Sequence, residues 1–89
     1  MKTYDVRLCS VGNIDYYRQN PNHPVSPLDW KKCTSLAEGS KACQEYIATW
    51  NLGGGNWNGG QVFQDGIQIA RVSFNGRIWD MDDKEIEAS

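Results

Sequence analysis

Cys9, Cys33, Cys43 and His23 carry the most reactive side chains in the chain. Thiolate and imidazole are the usual zinc ligands, so these four could in principle close a tetrahedral site. Structural zinc sites take their ligands in pairs about two to four residues apart, and no pair here has that spacing. Zinc is therefore not expected, nor is any other metal or cofactor. The same residues also suggest a nucleophile. Cys33 stands two residues ahead of an expected helix start, where a thiol pKa can be lowered. His23 would be its base. One thiol and one imidazole specify little by themselves, and an enzyme built on Cys33 and His23 is the third of three functional readings.

A second chemistry is offered by "GGGNWNGG", residues 53–60. Trp57 could stack on a sugar ring while Asn56, Asn58 and Gln61 bond its hydroxyls, which makes a small-molecule or carbohydrate binder the alternative reading. Phosphate is not expected there. A phosphate loop runs from a strand through glycines into a helix N-terminus, and here the order is helix, glycines, strand. The plain reading is a connector whose Trp57 plugs the edge of the core. The carboxylates Asp80, Asp82, Asp83, Glu85 and Glu87 form an acidic end. Acid–base work needs burial and a fixed separation, so a solvated run is the default.

A third group lies in "DYYRQNPNHPVSPLDW", where Tyr16, Tyr17, Arg18, His23, Asp29 and Trp30 are spaced by Pro21, Pro24 and Pro27. Aromatic and arginine side chains dominate contact energetics at protein interfaces, and proline lowers the entropy cost of presenting them. The competing reading has Tyr16 and Trp30 covering an open sheet face.

The elements that must position these residues follow from patterning. "KTYDVRLCSV" alternates, with Tyr4, Val6 and Leu8 on one side, as in a half-buried strand. Gly12-Asn13 suits a hairpin into a second strand over Ile14–Arg18. The prolines then forbid a regular element through "QNPNHPVSPLDWKK". "SLAE" reads as a capping box opening a helix from Ser35 to Asn51, with Gly53 taking the left-handed position after it. Leu36, Gly39, Ala42, Cys43, Tyr46, Ile47 and Trp50 share its apolar arc. Gly39 there implies close approach to the sheet. Asp65-Gly66 and Asn75-Gly76 both suit two-residue type I′ turns, giving a three-stranded antiparallel meander. That register pairs Val62 with Ile69, Val72 with Trp79 and Arg71 with Asp80.

The expected fold is α+β: an antiparallel sheet of four to five strands with one main helix on one face, order β(β)αβββ. It forms a single domain over 1–89, with the acidic tail 82–89 poorly ordered. One helix covers one sheet face only. The register puts Phe63, Val72, Phe74 and Trp79 under Leu36, Cys43, Ile47 and Trp50. It leaves Val62, Ile67, Ile69 and Ile78, with Tyr16, Tyr17 or Trp30 alongside, as the interaction surface. Exposed apolar patches usually mark contacts, and a symmetric dimer is the commonest way to cover one. The leading function is thus a non-catalytic binding module, self-associating as a homodimer or binding another protein.

Composition narrows the rest. The net charge of −2 gives no electrostatic reason to bind nucleic acid. No apolar run approaches the length of a membrane span. The N-terminus lacks an apolar signal core, and an odd number of cysteines fits a reducing compartment, so a cytoplasmic location is expected.

The stretch "VSPLDW…LAEGSKACQEYI…LGGGNWNGGQVF…DG…IARVSFNGRIWD" resembles small uncharacterised bacterial proteins carried on mobile DNA, of the integron gene cassette type. The likeness runs from about Pro24 to Asp80. It implies an accessory, cytoplasmic role and carries no catalytic residue with it.

Overall fold

The computed structural model describes residues 3–12 and 23–87. Among them one helix packs on a six-stranded antiparallel sheet, an α+β architecture with more strands than the four or five expected. The strands are β1 (Tyr4–Leu8), β2 (Asp29–Cys33), β3 (Gln61–Gln64), β4 (Ile67–Val72), β5 (Ile78–Asp80) and β6 (Glu85–Ile86), in the spatial order β2-β1-β3-β4-β5-β6. The helix α1 (Leu36–Thr49) lies across β1, β2 and β4. The expected strand over Ile14–Arg18, and the Gly12-Asn13 turn leading to it, extend outside the described residues.

Helix α1 starts and stops by local chemistry. Ser35 is the N-cap, its hydroxyl accepting from the Glu38 backbone N–H at 3.1 Å. The Glu38 carboxylate accepts from the Thr34 hydroxyl at 2.8 Å, which ties down the residue before the cap. At the far end Asn51, not Gly53, takes the left-handed conformation, with φ 52°. The Leu52 N–H then bonds the Ile47 carbonyl at 2.9 Å, and the Asn51 N–H bonds that of Ala48 at 3.3 Å. This is the Schellman pattern, and it folds Leu52 back into the core beside Ile47. Gly39 lets the helix approach the sheet closely: a Cβ there would lie 3.2 Å from a Val6 methyl.

Two features of the meander differ from expectation, and together they decide which face is buried. The first hairpin has the expected type I′ turn, with Asp65 at φ 53° and Gly66 at 81° and Gln64 opposite Ile67. A bulge between Val62 and Phe63 then sets Val62 opposite Ala70 instead of Ile69. The second hairpin is a three-residue loop. The Gly76 N–H bonds the Ser73 carbonyl at 2.9 Å, only Gly76 has positive φ (87°), and the Ser73 N–H bonds the Arg77 carbonyl at 2.8 Å. Such a loop is a type I turn followed by one left-handed residue, and it moves the register by one. Val72 therefore pairs with Ile78, and Arg71 with Trp79 rather than Asp80. A one-residue shift sends every side chain of a strand to the other face.

For β3 and β5 the face assignment is consequently the reverse of the expected one, while Val72 of β4 lies in the core beneath α1 as expected. Val62 is 1% exposed and Ile78 3% exposed, both in the core beneath α1 with Val6, Leu8, Cys33, Cys43, Ile47, Ala70 and Val72. Ile69 packs partly buried against this core, while Ile67 is 68% exposed beside the hairpin turn. Phe74 is exposed and does not enter the core.

Two further corrections concern segments without an apolar alternation. The proline-rich stretch ends in a regular strand, β2, which pairs with β1 from Tyr4↔Cys33 to Leu8↔Asp29. It is an edge strand exposed along most of its length, with Lys31 and Lys32 of the kind that blunts sheet edges. The acidic tail also contributes a strand: β6 pairs Ile86 with Ile78 and Glu85 with Trp79. Asp80 builds the turn before it, its carboxylate accepting from the N–H groups of Asp82 (2.8 Å) and Lys84 (2.9 Å).

Candidate functional site

The glycine loop is built as a connector. Asn56 is 5% exposed, and its amide is used at both ends: the Gly53 N–H donates to Oδ1 at 3.0 Å, and Nδ2 donates to the Val11 carbonyl at 2.9 Å. Val11 returns a backbone bond to the Asn56 carbonyl at 2.8 Å. The Trp57 indole N–H donates to the Val72 carbonyl at 3.0 Å, and its ring packs 6.1 Å from that of Tyr46. Asn58 accepts from the Cys9 thiol at 3.1 Å, and Gln61 Nε2 donates to the Asn58 carbonyl at 2.8 Å. Gln61 Oε1 is buried with no hydrogen-bond partner, the one such side-chain atom among the described residues. Gly60 continues the sheet between β1 and β4, donating to the Arg7 carbonyl at 2.7 Å and accepting from the Val72 N–H at 2.8 Å. The four residues expected to hold a ligand thus lie together, but their bonds run to the loop itself, to Cys9 and Val11 after β1, and to Val72 of β4.

A buried chain of hydroxyls, not visible in the sequence, ties the proline segment to the helix. The Val25 N–H donates to Ser10 Oγ (3.2 Å), and Ser10 and Ser26 hydroxyls lie 2.5 Å apart. Ser26 reaches Tyr46 Oη at 2.6 Å, and Tyr46 donates to the Pro27 carbonyl at 2.5 Å. An N–H can only donate and a carbonyl only accept, so the ends orient every proton in one direction. The proton path ends on a backbone carbonyl, which is not a base, so these bonds activate none of the three hydroxyls.

The thiols are buried, which favours their neutral form. Cys33 is 0% exposed beneath α1, and His23 is exposed in the segment before β2. Burial raises the Cys33 pKa, aided by the Glu38 carboxylate, so the expected lowering at the helix start does not occur. Loss of hydration outweighs any favourable helix-end field. Burial also raises Cys9, against the opposing charge of Arg7, and pushes Cys43 up to about 12. All three are free thiols. No group of three metal-ligating side chains occurs among the described residues.

The face of the sheet away from α1 is different. Cross-strand partners share a face, so Asp5, Arg7, Trp30, Lys32, Gln61, Phe63, Arg71 and Trp79 lie opposite Val6, Val62, Val72 and Ile78. No helix among the described residues covers it. Trp30 is 50% exposed and meets Phe63 with ring centroids 5.6 Å apart and planes at 56°. On the other half of the face the Arg71 guanidinium stands 5.6 Å over the Trp79 ring and bonds the Asp83 carboxylate at 3.0 Å. Asp5, Trp30, Phe63 and Gly66 line an open hollow of about 500 Å³.

Of the residues expected at an interface, Trp30 is on this face. Val62 and Ile78 are in the core, Ile69 packs against it, and Ile67 is exposed next to the hollow's Gly66. Tyr16 and Tyr17 lie outside the described residues. Phe63 and Trp79, expected in the core, are on this face instead. Their signal was present as aromatic residues in alternating strands, but the shifted register hid the side they take.

Comparison of the chain with protein-family models, curated proteins and solved structures finds no match. No helix among the described residues is long and apolar enough to cross a membrane.

Proposed function

We propose that this protein is a non-catalytic binding module whose contact surface is the helix-free face of its sheet, and that its partner is a second copy of itself. The observation that carries the reading is Trp30, half exposed on that face and backed by Phe63. A large aromatic held by a neighbour and left open to solvent on a strand is the kind of anchor that dominates interface energetics. The raised thiol pKa values and the fully used hydroxyl chain support a non-catalytic role. The resemblance to accessory proteins of mobile DNA fits a cytoplasmic setting, where free thiols persist.

Sedimentation equilibrium tests this. The parent should approach the dimer mass with rising concentration, and Trp30→Ser should shift the curve to the monomer while the far-UV spectrum stays folded. A parent that remains monomeric at millimolar concentration would remove self-association.

A further inference from the structure

Three neighbouring strands each send one side chain to the same end of the helix-free face: Asp5 from β1, Trp30 from β2 and Phe63 from β3. Asp5 is the register partner of Phe63, while Trp30 sits diagonally across β1, opposite Arg7. The two rings are tilted by 56° with centroids 5.6 Å apart, and both line the hollow, as two walls of a corner. Gly66 is at the rim, and a Cβ on it would meet nothing within 4 Å. The space in front of the corner is open.

The chemistry of those walls is specific. An aromatic face carries negative electrostatic potential, and the Asp5 carboxylate adds a negative charge to the same hollow. Apolar walls with negative potential favour a ligand that is cationic and apolar at once. A plain ammonium is compact and strongly hydrated. A methylated ammonium spreads its charge over its methyl groups, loses water easily, and is recognised by the faces of neighbouring aromatic rings.

We propose that the Asp5–Trp30–Phe63 corner is a binding site for a methylated ammonium group. The site has its own weak competitor. Lys32 Nζ stands 3.7 Å from Asp5 Oδ1, with both side chains largely open to solvent. At that distance and exposure the pair is loose, so an incoming cation can displace the lysine. The plain alternative is that the aromatic pair only shields the hydrogen bonds of an edge strand. Such a pair has no preference for a positive charge.

The inference rests on the helix-free face being a binding surface, and the test separates the two. Ligand and second copy would compete for Trp30, so the titration is run at the lowest workable concentration, where the monomer dominates. Isotope-labelled protein is titrated with choline chloride, with a trimethyllysine peptide, and with the neutral isostere of choline in which a tert-butyl group replaces trimethylammonium. Choline should shift the Trp30 indole and the Asp5, Phe63 and Gly66 amides saturably, at least about tenfold more tightly than the isostere. A tighter response to the peptide would assign the group to a modified protein, and an equal response to a free small molecule. Asp5→Asn should weaken binding roughly three- to tenfold, and Lys32→Gln should tighten it about two- to threefold by removing the competitor. Trp30→Ala, at an exposed edge position, should stay folded and lose the response. Equal binding of choline and the isostere at the corner would overturn the choice of cation but leave the face as a binding surface. No saturable shift with any of the three would overturn the inference. If Trp30→Ser also left sedimentation unchanged, the binding face itself would fall.

Discussion

Replacing Gly60 by alanine decides whether the glycine loop is a connector held by the sheet or a surface loop shaped for a ligand. Gly60 has φ 92°, and a Cβ on it would lie 2.3 Å from the Val72 carbonyl oxygen and 3.0 Å from the Trp57 ring. Neither neighbour can yield cheaply. The Val72 carbonyl holds the Trp57 indole N–H at 3.0 Å, and the Val72 N–H is bonded to Gly60 itself at 2.8 Å. Left-handed backbone at a non-glycine residue costs about 1–2 kcal/mol. Moving the Val72 peptide by the required distance loses two hydrogen bonds worth about 1 kcal/mol each. The sum is about 3–4 kcal/mol, a large part of the roughly 4–13 kcal/mol available to a domain of this length. Urea unfolding followed by circular dichroism should show the midpoint falling by about 1 M or more. Gly54→Ala is the control, since its Cβ would meet only the Phe74 ring at 3.8 Å, an ordinary contact, and its midpoint should stay within error. A Gly60→Ala variant as stable as Gly54→Ala would refute the pairing of Gly60 between β1 and β4.

Three other outcomes follow from the same geometry. Ile78→Lys should unfold the chain, because residue 78 is in the core, while Trp79→Lys should leave a native far-UV spectrum; the opposite pattern would restore the two-residue reading of the second hairpin. Tyr46→Phe should cost about 1–3 kcal/mol in urea unfolding, since Ser26 and the Pro27 carbonyl both lose a buried partner. The Cys43 pKa is raised from 9.0 to about 12, so its protonated form stabilises the fold fully below pH 9, and that contribution is lost as pH rises towards 12. The stability gap between the parent and Cys43→Ala should therefore narrow above pH 9 by up to about 1.4 kcal/mol per unit, and a constant gap would show that the thiol is not desolvated.

The helix and the first meander turn were legible because their signals are local. Ser35 caps within one turn, and Asp65-Gly66 needs positive φ at both positions, which few other residue pairs tolerate. Asn75-Gly76 looked the same and was not. A glycine serves equally as the second residue of a type I′ turn or as the left-handed residue of a three-residue loop. The choice depends on what the flanking strands bury. Here Ser40 donates to the Gly76 carbonyl at 2.7 Å and Gln44 to that of Phe74 at 2.9 Å, so the helix fixes the loop from a distance. The bulge at Val62/Phe63 is invisible for a similar reason, and the two shifts together exchanged the faces of β3 and β5. Strand β2 gave no periodic signal because Lys31 and Lys32 put a charge on each of its sides. The Ser10, Ser26 and Tyr46 hydroxyls are 16 and 20 residues apart in sequence and meet only in the fold.

The aromatic corner was half legible. Trp30 stood out as an anchor from its neighbours Tyr16, Tyr17 and the prolines. Its partners Asp5 and Phe63 come from strands whose facing depends on the register, so no local pattern joins the three.

The four tryptophans occupy different sides of the molecule, which allows one spectrum to test the central claim. Trp30 and Trp79 lie on the helix-free face, Trp57 is bonded inside to Val72, and Trp50 is exposed at the end of α1. Their indole N–H signals can be followed as the protein is diluted from millimolar to micromolar concentration. If the helix-free face is the contact surface, the Trp30 and Trp79 signals should move with concentration while those of Trp50 and Trp57 stay fixed. Movement of Trp50 with Trp30 and Trp79 still, or no movement of any of the four, would contradict it.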